Sequence, residues 1–328
     1  MRRAGDLWKR VATFENLLRA AKVAARGKRN QPSVARFLDR VEPESLALLQ
    51  ELEGDLWRPG RPIQFQIHDP KTRTISAAPF RDRVVHHALI DPIEGVLERR
   101  MVPQSFACRR GKGQHAAVKH AQRMMRAYER FVKMDIKKCF DSIRPCVVMA
   151  TLDRVIKERR ILTLCERIVR GRGSEGGLPI GNLTSQWFAN LVLDRLDHFV
   201  KEELRVPGYV RYMDDFVLFH DDAGSLRAAE RAVITFLDHD LQLQPKCEAT
   251  IRAPTHVGLP YLGMTIFKAT VRIRPINLRR TRRRFEALKH AMLCGNLDSD
   301  RLCEAQRSML AHLKSANTLE LRRRAFVT

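Results

Sequence analysis

The sequence lacks any apolar run approaching the roughly 20 residues that span a bilayer. Its first residues, Met1-Arg2-Arg3-Ala4-Gly5-Asp6, do not lead into the apolar core of a secretion signal. On this reading neither a membrane span nor an export signal is expected. The seven cysteines are an odd number, and no two stand as Cys-x-x-Cys. That spacing argues against a zinc ribbon or a disulfide frame and leaves reduced thiols that mostly fill core. No glycine-rich stretch has Walker spacing, so a P-loop is excluded. His86 and His87 are adjacent, whereas a helical metal pair needs i, i+4 spacing, so packing is their expected use. There is no internal repeat and no low-complexity linker. Acidic residues are scarce: 37 Asp and Glu stand against 60 Lys and Arg, a formal charge of +23. An excess that large, clustered along the chain, favours a polyanionic partner, nucleic acid before an anionic membrane.

With 328 residues, 44% of them hydrophobic, the chain can bury a sizeable core and is expected to hold one large domain and a smaller appendage. Leu7, Val11, Phe14, Leu17, Leu18 and Ala21 recur at helical spacing, which the basic loop Arg26-Gly27-Lys28-Arg29-Asn30 interrupts. A second helix is expected from about Pro43 to Leu56. Residues 63–68 and 72–76 alternate about the turn Asp69-Pro70-Lys71 and predict a hairpin, with Lys71, Arg73, Arg81 and Arg83 at or just beyond its tip. Arginine forks of this kind match phosphate oxygens. Helix is predicted over 82–97. The loop Ser105 to Gly113, with Arg109, Arg110 and Lys112, reads as a grip for a nucleic-acid backbone and opens a helix to about Tyr128. After a flexible loop with Gly171, Gly173, Gly176 and Gly177, a helix starts near Thr184, capped by Asn182 or Thr184. Residues 224–245 predict another amphipathic helix, and Tyr261 to Phe267 with Val271 to Ile273 a second hairpin. The helical tail carries Arg279, Arg280, Arg282, Arg283 and Arg284 in one run, a pattern suited to a duplex backbone.

Two acidic features stand against this basic background. The runs Tyr209 to Met213 and Phe216 to Phe219 flank Asp214-Asp215 and predict a hairpin with the acids at its tip. Arg130 to Ile136 reads as a strand ending in Asp135. If these strands are neighbours, three carboxylates converge. Mutual repulsion then becomes cation binding, and oxygen donors without a thiolate cluster favour Mg²⁺ over zinc. Two such ions suit an in-line phosphoryl displacement, one on the attacking oxygen and one on the leaving oxygen.

At these residues the sequence resembles the reverse transcriptases. Phe131-Val132-Lys133-Met134-Asp135-Ile136-Lys137-Lys138-Cys139-Phe140 is similar to their first catalytic motif, and Tyr212-Met213-Asp214-Asp215 to their YxDD motif. Further blocks follow in the family's order over roughly residues 60–268: Arg73 to Arg83, Ser105 to Gly113, Leu178 to Asn190, Lys246, and Tyr261-Leu262-Gly263. Most bacterial members carry Gln-Gly-x-x-x-Ser-Pro where this chain has Ile180-Gly181-Asn182-Leu183-Thr184-Ser185-Gln186. That departure resembles the reverse transcriptases of diversity-generating retroelements, which copy a template-repeat RNA with frequent errors opposite adenine.

The resemblance implies an α+β right-hand polymerase fold, with fingers and palm over residues 1–268 and a small basic helical thumb over 269–328. It implies Asp135 and Asp214 as principal ligands of two Mg²⁺ ions (Mn²⁺ a substitute), with Asp215 supporting. Arg73 and Arg81 would hold the dNTP triphosphate, with Ile136 beside them and Phe140 excluding a ribose 2′-hydroxyl. Lys246 would protonate leaving pyrophosphate. Ile180, Gly181, Ser185 and Gln186 would border the template, Leu262 and Gly263 would form the primer grip, and the tail arginines would lie on the cDNA/RNA duplex. Implied partners are template RNA, dNTPs and a small basic ring-forming accessory protein, in the cytoplasm of a bacterium or phage host, and no membrane. No RNase H, endonuclease, integrase or maturase extension is expected. A conventional retron or abortive-infection enzyme, and a nucleic-acid-binding relative without catalysis, stay open as alternatives.

Overall fold

The computed structural model describes residues 3–68, 72–171, 176–314 and 316–319. The expected turn at 69–71 and Gly173 therefore lie outside the described residues.

The N-terminal layer is helical: α1 (Trp8–Val11), α2 (Phe14–Ala24), α3 (Pro32–Asp39) and α4 (Val41–Glu53). Thr13 caps α2, its hydroxyl accepting from Asn16 N at 3.2 Å. Sequence spacing did not predict α3, a short helix entered through Pro32 at its first turn. Helix α4 ends three residues before the expected Leu56, because the chain turns at Gly54 and Asp55, the latter at φ +58°. The hairpin β1 (Ile63–His68) and β2 (Thr72–Ala77) follows, with β1 exposed along its whole length. Helix α5 (Phe80–Glu98) packs back on α2, where buried Asn16 donates to Ala88 O at 2.9 Å. His86 and His87 lie within α5, and His86 is buried, as packing required.

After α6 (Gln114–Ala127) the chain builds an antiparallel sheet from β3 (Arg130–Asp135), β4 (Gly208–Tyr212), β5 (Asp215–His220) and β6 (Ile251–Pro254), in the order β4-β5-β3-β6. Strand β6 was not anticipated. It is a four-residue edge strand, a place where Pro254 is tolerated. Between β3 and β4 lie α7 (Cys139–Ser142), α8 (Pro145–Asp153), α9 (Arg159–Arg170) and α10 (Leu183–His198), the last continuing as a π-helical turn, Phe199–Glu203. Helix α11 (Ala223–Leu241) follows β5, capped by Asp222, and stops short of residue 245 where Gln242 turns left-handed at φ +55°.

Two-residue alternation splits the sheet between two cores. Val132, Met134, Tyr209, Phe216 and Leu218 face the large helical core. Phe131, Val210, Val217 and Phe219 join a smaller core with α6 and a three-stranded sheet, β7 (Leu259–Tyr261), β8 (Met264–Ile266) and β9 (Val271–Ile273). Fully burying each such side chain stabilises the fold by roughly 1.5–3 kcal/mol. The expected continuous strand 261–267 is instead two strands. Leu262 and Gly263, at φ +48° and +81°, form the tight turn between them. Helices α12 (Pro275–Leu293) and α13 (Ser299–Leu313) complete the described chain, and α12 has no buried residue. Among the described residues no helix is long and apolar enough to cross a membrane.

Candidate active site

The sheet register brings the three carboxylates together. Asp135 ends β3 directly opposite Asp215, the first residue of β5. The β4–β5 turn closes on Met213 and Asp214, with Tyr212 opposite Asp215. Met213 takes φ +55°, and Ile136 N donates to Asp214 O at 3.2 Å, so the turn is tied to the end of β3. Lys246 also arrives here, its backbone N–H donating to Asp135 O at 2.7 Å. The hairpin read from the sequence is thus the observed one, placed against Asp135.

The environment disfavours full ionisation. Burial, and then the charge of Asp135, raise the Asp214 carboxyl above its ordinary range, against Arg73 and Lys133. Burial pushes Asp215 up to about 7, although Lys133 Nζ lies 2.8 Å from its Oδ1. A divalent cation bound beside these carboxylates would offset that cost. Among the described residues no group of three or more His, Cys, Asp and Glu side chains is arranged to hold a metal ion. With Asp215 engaged by Lys133, the carboxylates that would hold an ion are Asp135 and Asp214. Two carboxylates completed by substrate phosphate and water are a fitting set for Mg²⁺.

The surrounding residues divide into those that reach this centre and those that do not. Arg73 lies close enough to influence Asp214. Arg81 is engaged elsewhere, bonding Glu51 at 2.7 and 2.8 Å with Glu44 at 3.6 Å. Ile136 is 1% exposed in the core, and its N–H is taken up by Asp214 O. Phe140 lies at the start of α7, half-buried, and its carbonyl accepts from Leu178 N at 2.7 Å. A Cβ at Gly177 would lie 2.3 Å from Phe140 O and 2.2 Å from Asp141 O, so that glycine serves close approach.

The block from Ile180 to Gln186 sits against the β1–β2 hairpin. Ser76 N donates to Ile180 O at 2.9 Å, and Gly181, at φ +115°, would place a Cβ 2.8 Å from Ile75. Asn182 precedes α10 but does not cap it; its Oδ1 accepts from Ala78 N at 3.3 Å. Thr184 and Ser185 are buried, and Gln186 Oε1 accepts from Cys108 Sγ at 3.4 Å.

The basic side chains of the loop 105–113 all have partners within the protein, although Arg110 stays 78% exposed. Arg109 is buried on Glu98 at 2.8 Å and on the carbonyl of Val102 at 2.6 Å. Lys112 bonds Pro103 O at 2.6 Å, and Arg110 pairs with Glu94 at 2.8 Å. The turn Leu262-Gly263 is held by Gln114 Nε2 on Leu262 O at 2.7 Å and Asn277 Nδ2 on Gly263 O at 2.9 Å. Its sheet touches the acidic turn through Tyr261 OH, 3.4 Å from Asp215 O. Arg279, Arg280, Arg282, Arg283 and Arg284 are all exposed on α12. Sequence reasoning missed Lys133, Gly177 and Arg211; the register sets Lys133 opposite Val217, on the sheet face of Asp135 and diagonal to Asp215.

An antiparallel sheet carrying paired acids at a hairpin tip, a helical layer behind it and a projecting hairpin beside it define a right-hand polymerase fold. Residues 67–266 match the reverse transcriptase (RNA-dependent DNA polymerase) family, and the chain belongs to it. The chain is similar to nuclear intron maturase 1, mitochondrial, of Arabidopsis thaliana, 31% identical over 30% of this chain and 16% of that protein. It is similar to the group II intron-encoded protein LtrA of Lactococcus lactis subsp. cremoris, 27% identical over 40% of this chain and 23% of that one. The chain spans about a fifth of the length of the first such relatives. Among solved structures, telomerase from Candida albicans in complex with a fragment of telomeric RNA superposes with a TM-score of 0.52 at 12% identity, over 66% of this chain and 46% of that one. That likeness supports the fold.

Proposed function

We propose that the chain is an RNA-directed DNA polymerase that copies an RNA template into cDNA. The carrying observation is the register that sets Asp135 opposite Asp215 and ties the Asp214 turn to Ile136. Asp135 and Asp214 would hold Mg²⁺, which supplies charge for the attacking 3′-oxygen and the leaving pyrophosphate. Lys133 keeps Asp215 paired. Arg73 meets the triphosphate, Phe140 excludes the ribose 2′-hydroxyl, and Lys246 delivers a proton to pyrophosphate. Residues 1–268 act as fingers and palm, with residues 269–328 as a thumb whose first strand, β9, completes the primer-grip sheet. Template-dependent dNTP incorporation, lost in Asp214→Ala, tests this reading; an absence of incorporation by the wild-type chain would sink it.

The finer reading is the reverse transcriptase of a diversity-generating retroelement, making adenine-mutagenised cDNA with a small basic accessory protein. It is supported by Ile180 in place of glutamine at a segment bonded directly to the β1–β2 hairpin through Ser76. An isoleucine side chain makes no hydrogen bond to a templating nucleotide or nascent pair, so geometric checking is relaxed. Ile180→Gln is expected to lower misincorporation opposite template adenine; an unchanged error spectrum would exclude this cause.

A further inference from the structure

A buried polar cluster lies directly behind the catalytic turn. Arg211 and Asp197 both have 0% side-chain exposure. Arg211 grips Asp197 bidentately, Nε to Oδ1 and Nη2 to Oδ2, each at 2.6 Å. Tyr209 OH donates to the same Oδ1 at 2.7 Å. The remaining guanidinium bonds are Nη2 to Ser105 Oγ at 3.0 Å, and Nη1 to both Asn190 Oδ1 and Met213 O at 3.1 Å. Asn190 is itself fixed by donating to Ala107 O at 2.8 Å. The Arg211 backbone is tied as well, its N–H to Gln104 O and its carbonyl to Phe106 N, both at 3.0 Å.

Stability alone does not account for this arrangement. Desolvating an ion pair cancels much of its attraction, and apolar residues of similar volume often stabilise a core as well or better. The bond to Met213 O supplies another reason. Met213 occupies the left-handed region, which is unfavourable for a residue with a side chain, and Asp214 comes next. A planar fork locked by Asp197 can hold that carbonyl in one orientation, whereas a flexible ammonium cannot serve all these acceptors.

We propose that Arg211 is a positioning residue for catalysis: clamped by Asp197, it holds the Met213 carbonyl and so fixes the turn that carries Asp214 beside Asp135. Through Asn190 and Ser105, the same guanidinium also registers α10 and the 105–107 backbone against that turn. This inference rests on the polymerase reading above.

The test is primer extension by the full chain carrying Arg211→Lys, with kcat per active site from burst titration, the KM for dNTP, and a Mg²⁺ titration. The wild-type chain and Asp214→Ala are run beside it. Failure of the wild type to extend a primer defeats the polymerase reading itself, whatever Arg211 does. With an active wild type, folded Arg211→Lys is expected to lose about 10-fold or more in kcat per active site and to need more Mg²⁺. Its KM for dNTP should stay within about two-fold, because the groups that bind substrate are untouched. Asn190→Ala should move the same quantities in the same direction by less, and it carries the test if the lysine variant does not fold. Unchanged kcat per active site and unchanged Mg²⁺ half-saturation in the folded variant overturn the proposal and leave the cluster a structural tie.

Discussion

Lys133 Nζ lies 2.8 Å from Asp215 Oδ1, across the β3–β5 strand pair. One of the three acids therefore has a cationic partner within the protein, while burial and the charge of Asp135 raise the cost of ionising Asp214. The expected mutational pattern is unequal. Asp135→Ala and Asp214→Ala should reduce primer extension to background. Asp215→Asn should retain activity, reduced by roughly 10- to 100-fold, as for a group that supports metal ligands rather than serving as one. Steady-state kcat for the three variants checks this; equal losses would place Asp215 among the ligands.

The acids were legible because each ends a short run of β-prone residues, and those runs proved to be β3, β4 and β5. Their partners were not legible. Lys133 was in plain view, but its meaning depends on the register that sets β3 beside β5. Arg81 and Arg109 looked like phosphate grips because their charge is local in sequence, whereas Glu51 and Glu98, which neutralise them, come from other segments. Gly177 looked like loop flexibility, yet its lack of a Cβ admits the Phe140–Asp141 backbone. Arg211 read as an ordinary strand residue, since the Asp197 that buries it comes from α10. Helix α3 and strand β6 are too short for periodicity to reveal.

Gly177→Ala offers a test of the sugar gate from behind. The added Cβ would meet the carbonyl oxygens of Phe140 and Asp141 at 2.3 and 2.2 Å, so that backbone must move. Overpacking of this kind typically costs about 1–3 kcal/mol. A displaced Phe140 should also discriminate less between dNTP and rNTP, in the direction of Phe140→Ala. The ratio of kcat/KM for the two nucleotides measures it. A destabilised variant with unchanged discrimination would remove Phe140 from the gate.

The exposed arginines of α12 predict a salt signature. Removing one arginine that binds a phosphate should flatten the slope of log K against log salt by roughly 0.9 for a duplex. Converting Arg279, Arg280, Arg282, Arg283 and Arg284 to Gln in steps should therefore weaken the salt dependence of RNA/DNA duplex binding progressively. The dNTP KM should stay constant, because the proposed dNTP contacts are other residues. Fluorescence anisotropy at several salt concentrations reads the slope, and an unchanged slope would detach α12 from the duplex.

His86 gives the fold an acid-side limit. It is buried in α5 with Nδ1 unpartnered, and burial, helped by the charges of His87 and Arg83, pushes its imidazole down to about 3. An unfolded histidine titrates near 6.5. Between those values the unfolded chain binds a proton that the folded chain refuses, so stability falls as pH drops through that window. The contribution is fully present above about pH 6.5. His87 is lowered in the same direction by burial, then by Arg83 and Lys28, and adds to the trend. His86→Met removes the titrating group while keeping an apolar side chain of similar bulk. Urea unfolding across this range should then show a shallower loss of stability on the acid side than in the wild type. Parallel curves for the two proteins would mean that His86 accepts its proton without opening the fold.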